Sequence, residues 1–231
     1  MNQWKGSLYL MALSYKREFL IFWLINSSFL LNIAICYMFP DITLITVGII
    51  GAYIFTLILS TKLLNKTLSI SLRYGLNRKR FLGSTAIFIV IWSFSHAIMM
   101  FLMNTILLWS ADIFGLSNMI VPQLSMLFSD NVSLFINLLI DACVISLLSV
   151  IGILVNILFY RFGLIGGYGF VGLVAIILFI GVPFQWYIPL AEAVMSLNLA
   201  QFIGLLILLA GLVYGLIGLL TNKISTISAS V

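Results

Sequence analysis

LRYGLNRKRFLG, residues 72–83, is the one charge-dense stretch of an otherwise apolar chain. Arg73, Arg78, Lys79 and Arg80 crowd together there. Before it the sequence is mostly apolar from Ile42 to about Leu64, and after it from about Phe81 to Leu108. Each run is long enough to cross a hydrocarbon core of about 30 Å as a helix. Carried outward, the same reading gives six spans, at 19–39, 42–64, 81–108, 132–159, 162–182 and 199–220.

Composition agrees. Only 7% of the 231 residues are charged and 63% are hydrophobic, whereas a soluble domain carries roughly 25% charge. A soluble globular protein is therefore excluded. The strict alternation of a membrane β-barrel is absent too. The expected class is all-α, a polytopic membrane protein forming a single transmembrane domain over residues 1–231. The first apolar run is too long for a cleaved signal peptide. Cys36 and Cys143 both lie inside apolar runs and read as free thiols rather than a disulfide framework.

Orientation follows from lysine and arginine. Lys5, Lys16 and Arg17 precede span one, Lys62, Lys66, Arg73, Arg78, Lys79 and Arg80 lie between spans two and three, Arg161 between four and five, and Lys223 after six. All eleven share one side, the cytoplasm, which places both termini inside. Asp41, Asp112, Asp130 and Glu192 lie on the other side. The net charge of +5 is thus a topology signal and implies no nucleic-acid partner.

Within residues 1–18, Trp4, Leu8, Met11 and Tyr15 share one helical face. The expectation is an interfacial helix on the inner leaflet, with an extension of span one as the alternative. PFQWYIPLAEAVMSLN, residues 183–198, is too apolar for a solvated loop. It reads as an outer re-entrant segment with an aromatic belt and a short helix opened by Pro189 and running through Met195.

Between spans two and three, Leu64, Leu68, Leu72 and Leu76 recur every four residues and give a short helix with one apolar edge. Gly75 suits a left-handed C-terminal cap, and Asn77 the N-cap of span three. Arg78, Lys79 and Arg80 then occupy the first turn of that span. The helix dipole disfavours each cation there by about 0.3–1 kcal/mol. Anionic headgroups favour it by about 1 kcal/mol. These three residues read as a membrane anchor.

Polar residues inside spans mark pathways or pairings. Asp141 is the one acid within a span and His96 the one histidine of the chain. If spans three and four are antiparallel neighbours the two meet, and a shared hydrogen bond is expected. Asn26 and Asn32 in span one are the other pathway candidates. Gly163/Gly167 and Gly211/Gly215 have the spacing that lets helices approach closely. No catalytic set is visible, neither clustered metal ligands nor a nucleophile with its base. No G-x-x-x-x-G-K-[ST] phosphate loop occurs.

An N-terminal interfacial helix, six spans, one helical cytoplasmic loop and an apolar segment between spans five and six together resemble the type-2 ABC transporter permeases. In that family a G-x-x-R-x-x-F/L element follows the second-to-third loop, here Gly75-Leu76-Asn77-Arg78-Lys79-Arg80-Phe81. The resemblance implies the membrane subunit of an ABC exporter, and small Gram-positive permeases that export amphipathic or antimicrobial peptides are similar in size. It further implies a coupling helix over Leu64, Thr67, Leu68, Ser71, Leu72, Tyr74 and Gly75, docked on a separate ATP-binding subunit that holds ATP and Mg. A second permease subunit, identical or paralogous, is implied, with a peptide or lipid-like cargo and a bacterial plasma membrane as the setting. The alternatives are an ion- or proton-coupled carrier or small channel using Asp141 and His96, or a non-transporting membrane partner.

Overall fold

The computed structural model describes residues 3–46, 48–128 and 133–221, with the side chains of Gln3, Asn65, Lys66, Ser69, Leu127 and Leu134 left out. Met1 and Asn2 of the N-terminal helix, Asp130, the head of span four at Val132, and Lys223 lie outside the described residues. The chain is mostly helical. The helices are α1 (Gln3–Asn26), α2 (Leu31–Met38), α3 (Gly48–Ser60), α4 (Leu63–Arg73), α5 (Arg78–Phe114), α6 (Leu134–Phe184), α7 (Tyr187–Met195) and α8 (Leu199–Thr221). Two short strands, β1 (Leu44–Ile45) and β2 (Met119–Ile120), pair in parallel. By length and composition, four helical stretches suffice to cross a membrane: Trp4–Met38, Arg78–Phe114, Phe135–Phe184 and Leu199–Thr221.

The N-terminal region departs from the expected interfacial helix. No break separates residues 3–18 from span one, because α1 runs unbroken from Gln3 to Asn26 and continues through a tight turn at Ser27–Leu30 into α2. The face seen in the sequence is real, but protein covers it. Met11 and Tyr15 are buried with Leu64, Leu68, Phe81 and Phe88, and Leu8 packs against the same cluster. The Trp4 indole lies so close to Gly83 that a Cβ there would sit 2.4 Å from it.

The corner around α4 follows its sequence signals. Gly75 takes φ +77, Leu76 N–H donates to the Ser71 carbonyl (3.1 Å) and Gly75 N–H to that of Leu72 (3.0 Å). This is a Schellman ending, and buried Leu76 supplies its apolar contact. Asn77 then caps α5, its Oδ1 accepting from Lys79 N–H at 3.3 Å. The far end of α5 repeats the device: Gly115 takes φ +65 and Leu116 N–H donates to Ala111 O (2.9 Å). The helix thus reaches Phe114, six residues beyond the expected end of span three.

Span two is less regular than expected. The helical part of it, α3, has 13 residues, about 20 Å, and an extended segment precedes it. The backbone of that segment is paired: Leu44 N–H donates to Asn118 O and Thr46 N–H to Ile120 O. The Asn118 side-chain amide reaches the carbonyls of Cys36, Phe39 and Ile42 at 3.0–3.3 Å. The connection after α5 is therefore clamped to the loop between α2 and α3, which leaves few unpaired backbone groups where lipid would penalise them.

What holds α3 in place is a seam of small side chains against α6. Ala52, Thr56 and Ser60 recur every four residues and are buried. Opposite them, a Cβ on Gly152 would stand 2.6 Å from the Leu57 carbonyl oxygen and 2.8 Å from the Ser60 Cβ. The Thr56 hydroxyl donates to the Ala52 carbonyl within its own helix (2.9 Å), so it is not stranded in the seam.

As a straight rod the 51 residues of α6 would measure about 76 Å, more than twice a hydrocarbon core. The chain bends at Gly163, whose φ of 68° and ψ of −169° are non-helical and belong to a region essentially reserved for glycine. Across the bend the Tyr168 and Phe159 rings meet at 5.2 Å, whereas a straight helix would hold their backbones about 13 Å apart. Phe159 also covers Gly167. The Gly163/Gly167 pair therefore makes a corner, not a helix-pairing face, while Gly211 and Gly215 meet nothing within 4 Å. The second limb of α6 ends at Gln185 (φ 52). The exposed helix α7 starts two residues before Pro189. A capping box opens α8, with Gln201 N–H donating to Asn198 Oδ1 (2.8 Å) and Asn198 N–H to Gln201 Oε1 (3.0 Å).

Gly152→Ala is expected to destabilise the purified protein by about 1–3 kcal/mol, since a backbone carbonyl cannot yield to the new methyl group. Gly204→Ala, which meets nothing within 4 Å, is expected to be neutral or slightly stabilising. Thermal unfolding of both variants in one detergent checks the contrast.

Candidate functional site

One group of polar side chains gathers between α3, α5, α6 and the segment after α5. Asp141, 7% exposed, lies about 10 Å into α6 by its helical rise. The Tyr53 hydroxyl on α3 donates to Asp141 Oδ1 at 2.6 Å. The Gly152 seam brings this bond about, since it holds α3 against α6 and Tyr53 sits beside Ala52, the buried head of the small-residue stripe. One turn from Asp141, the Asn137 amide donates to Gln123 Oε1 at 2.7 Å.

Two small cavities flank this cluster and share Ile49 and Asn104 as their common wall. One is lined by Asn104, Thr105, Gln123, Asn137 and Asp141. The other is lined by Asn26, Thr46 and Asn104 together with the thioethers of Met100 and Met103. The second cavity reaches α1 because Gly48 leaves room there. Its missing side chain would otherwise stand 3.5 Å from Asn26 Oδ1.

The expected bond between His96 and Asp141 does not form. Their helices do pack together, but the two side chains leave them in different directions. Asp141 faces α3, whereas His96 faces α1 and sits in an aromatic box. Its ring centroid lies 4.6 Å from Trp92, 4.8 Å from Phe19, 5.6 Å from Trp23 and 5.9 Å from Phe55. Neither ring nitrogen has a hydrogen-bond partner among the described residues. His96 thus behaves as one more aromatic ring of the core, in edge-on contact with two neighbours. Of the other candidates, Asn26 lines a cavity, while half-buried Asn32 lines neither.

The docking-helix candidates divide by exposure. Leu64, Thr67, Leu68 and Ser71 are buried in the bundle, Leu72 packs against the same core, and Tyr74 and Gly75 are exposed. The leucine edge is therefore what fastens α4 to the protein. Its outward face presents Ile70, Arg73 and Tyr74. Lys79 and Arg80 of the anchor are exposed and Arg78 half-buried. Both cysteines are free, and among the described residues no three His, Cys, Asp or Glu side chains gather into a metal-sized group.

Sequence reading passed over Tyr53, Asn104, Gln123 and Asn137. Asn137 was open to detection, because it precedes Asp141 by one helical turn and shares its face. Tyr53 and Gln123 depend on tertiary contacts that no local pattern announces.

A double-mutant cycle separates the two proposed partners of Asp141. Asp141→Asn combined with Tyr53→Phe is expected to show a coupling energy of about 0.5–3 kcal/mol, and combined with His96→Phe a coupling near zero, both read from unfolding in detergent. Asp141→Leu is expected to be worse than Asp141→Asn, since only asparagine keeps an acceptor for the Tyr53 hydroxyl.

The sequence matches no family model, and neither a curated protein nor a solved structure is significantly similar to it.

Proposed function

We propose that this chain is the membrane permease subunit of an ATP-driven exporter of the type-2 ABC class. In this reading it crosses a bacterial plasma membrane six times with both ends in the cytoplasm. The crossings are α1 with α2, the segment through β1 and α3, α5, the two limbs of α6, and α8. Residues 183–198, with α7, form the outer re-entrant segment.

The observation that carries the reading is the α4 corner. A short amphipathic helix is fixed to the bundle by buried Leu63, Leu64 and Leu68. It is stopped by left-handed Gly75 and followed at once by the Asn77 cap of the long helix α5. Such an element can transmit a push: its inner face is locked to α1, α5 and α6, and its outer face is free for a partner. That outer face holds an aromatic, an aliphatic and a cationic side chain in Tyr74, Ile70 and Arg73, types suited to a docking anchor. The chain has no phosphate-binding loop of its own, so ATP and Mg belong to a separate subunit. The apolar second limb of α6 and the outward side of α8 are broadly exposed, which suits contact with lipid and with a second permease subunit, identical or paralogous. The cargo in this reading is a peptide or a lipid-like amphipathic molecule, passing close to the polar cluster around Asp141 and Asn26.

Co-expression with an ATP-binding subunit encoded beside it is expected to yield a complex with vanadate-sensitive ATPase activity. Tyr74→Ala is expected to weaken that complex by about 1 kcal/mol or more, roughly five-fold in recovered partner, with the yield of the permease itself unchanged. Leu68→Ala is expected to lower the permease yield instead, by about 2–5 kcal/mol of lost core stability. Failure to form any such complex, together with uptake driven by a proton gradient in ATP-depleted vesicles, would contradict the reading.

A further inference from the structure

The cavity beside Asp141 has a composition that transport by an ATP-driven partner does not require. Its polar lining comes from Asn104, Thr105, Gln123, Asn137 and Asp141, and its character is set by oxygen. Asp141 carries two carboxylate oxygens, of which Oδ1 accepts from Tyr53. Asn137 Oδ1 is buried and has no hydrogen-bond partner among the described residues, its amide nitrogen being engaged with Gln123. The Thr105 hydroxyl gives its proton to the Phe101 carbonyl (2.8 Å), which leaves its oxygen as an acceptor. Among the described residues no lysine or arginine lines the cavity. A carboxylate that is 93% buried, with the Tyr53 hydroxyl as its one hydrogen-bond donor among the described residues, would when ionised be a negative charge in a low dielectric with no cation beside it.

We infer that this cavity is a binding site for a single small monovalent cation, an alkali ion or ammonium, held by the Asp141 carboxylate and the amide and hydroxyl oxygens of Asn137, Asn104 and Thr105. Size and charge select the ligand. The room left for water-sized bodies is about 10 Å³, enough for about one of them, which suits a single small ion. One carboxylate balances one positive charge. Calcium takes about six to eight oxygens, with several carboxylates among them, and the cavity has a single acid. Oxygen ligands of the carboxylate, carbonyl and hydroxyl kind suit hard cations. Bound there, the ion would tie α6 to α5, and through the Tyr53 bond to α3. The inference stands apart from the ATP-driven reading and survives its failure.

The test is thermal unfolding of the purified full chain in detergent at constant ionic strength, with N-methylglucamine exchanged for sodium, potassium or ammonium. At about ten times the dissociation constant the midpoint is expected to rise by about 3–6 °C with at least one of the small cations. The three salts tell which cation is held. The rise is expected to vanish in Asp141→Asn and to need a higher concentration in Tyr53→Phe. Calorimetric titration of the same cation into the wild-type chain is expected to give one site per chain, and needs no variant to fold. An unchanged midpoint in all three salts, a midpoint that moves with pH alone, or an equal rise in Asp141→Asn would overturn the inference.

Discussion

The close approach of α3 to α6 at Gly152 is the constraint on which the rest of the structure depends. At 13 residues α3 is shorter than the roughly 20 residues a membrane crossing usually takes. Its most extensive packing is against α6. Hydrophobic burial cannot supply that attraction within lipid, because acyl chains are as apolar as leucine. Close backbone approach supplies it instead, through the Ala52, Thr56 and Ser60 stripe on one helix and Gly152 on the other. Two consequences follow along α3. On one side of the contact Tyr53 reaches Asp141. At its C-terminal end the turn after Ser60 delivers α4 with its leucines against the core.

The second organising rule is that backbone must be paired wherever the chain leaves a helix. Left-handed glycines end α4 and α5, the strand pair and Asn118 clamp the connections before α3 and after α5, and Gly163 lets α6 turn without losing its helical limbs. Each device fixes a direction. Together they aim α4 outward from the bundle at one end of α5 and gather the polar side chains into one cluster nearer the other.

Legibility in the sequence tracks how local each determinant is. The helical membrane class, the Gly75 ending and the Asn77 cap were readable because each depends on a few adjacent residues or on composition. The face made by Trp4, Leu8, Met11 and Tyr15 was also readable, but its partner was not. An apolar stripe looks the same whether lipid or α4 covers it, and only the tertiary fold decides. The leucines of α4 show the same ambiguity, since their spacing announced a sticky edge and the bundle took it. Asp141 stood out as a lone acid in a span. Its partner did not, because antiparallel neighbours bring His96 to a similar depth but not to the same face. The bend at Gly163 falls close to Arg161, where the charge pattern set the corner, though the glycine geometry that makes it could not be read from charge.

The orientation of α5 carries the central claim, because a motor can reach α4 only if α4 and the far end of α5 lie on opposite sides of the membrane. Single cysteines at Tyr74 and at Asp112, both exposed positions, can be labelled in a background lacking Cys36 and Cys143 with a membrane-impermeant maleimide, in intact cells and in inverted vesicles. The account predicts that Tyr74→Cys reacts only in inverted vesicles and Asp112→Cys only in intact cells. Labelling of both from the same side, or of Tyr74→Cys from outside the cell, would contradict it.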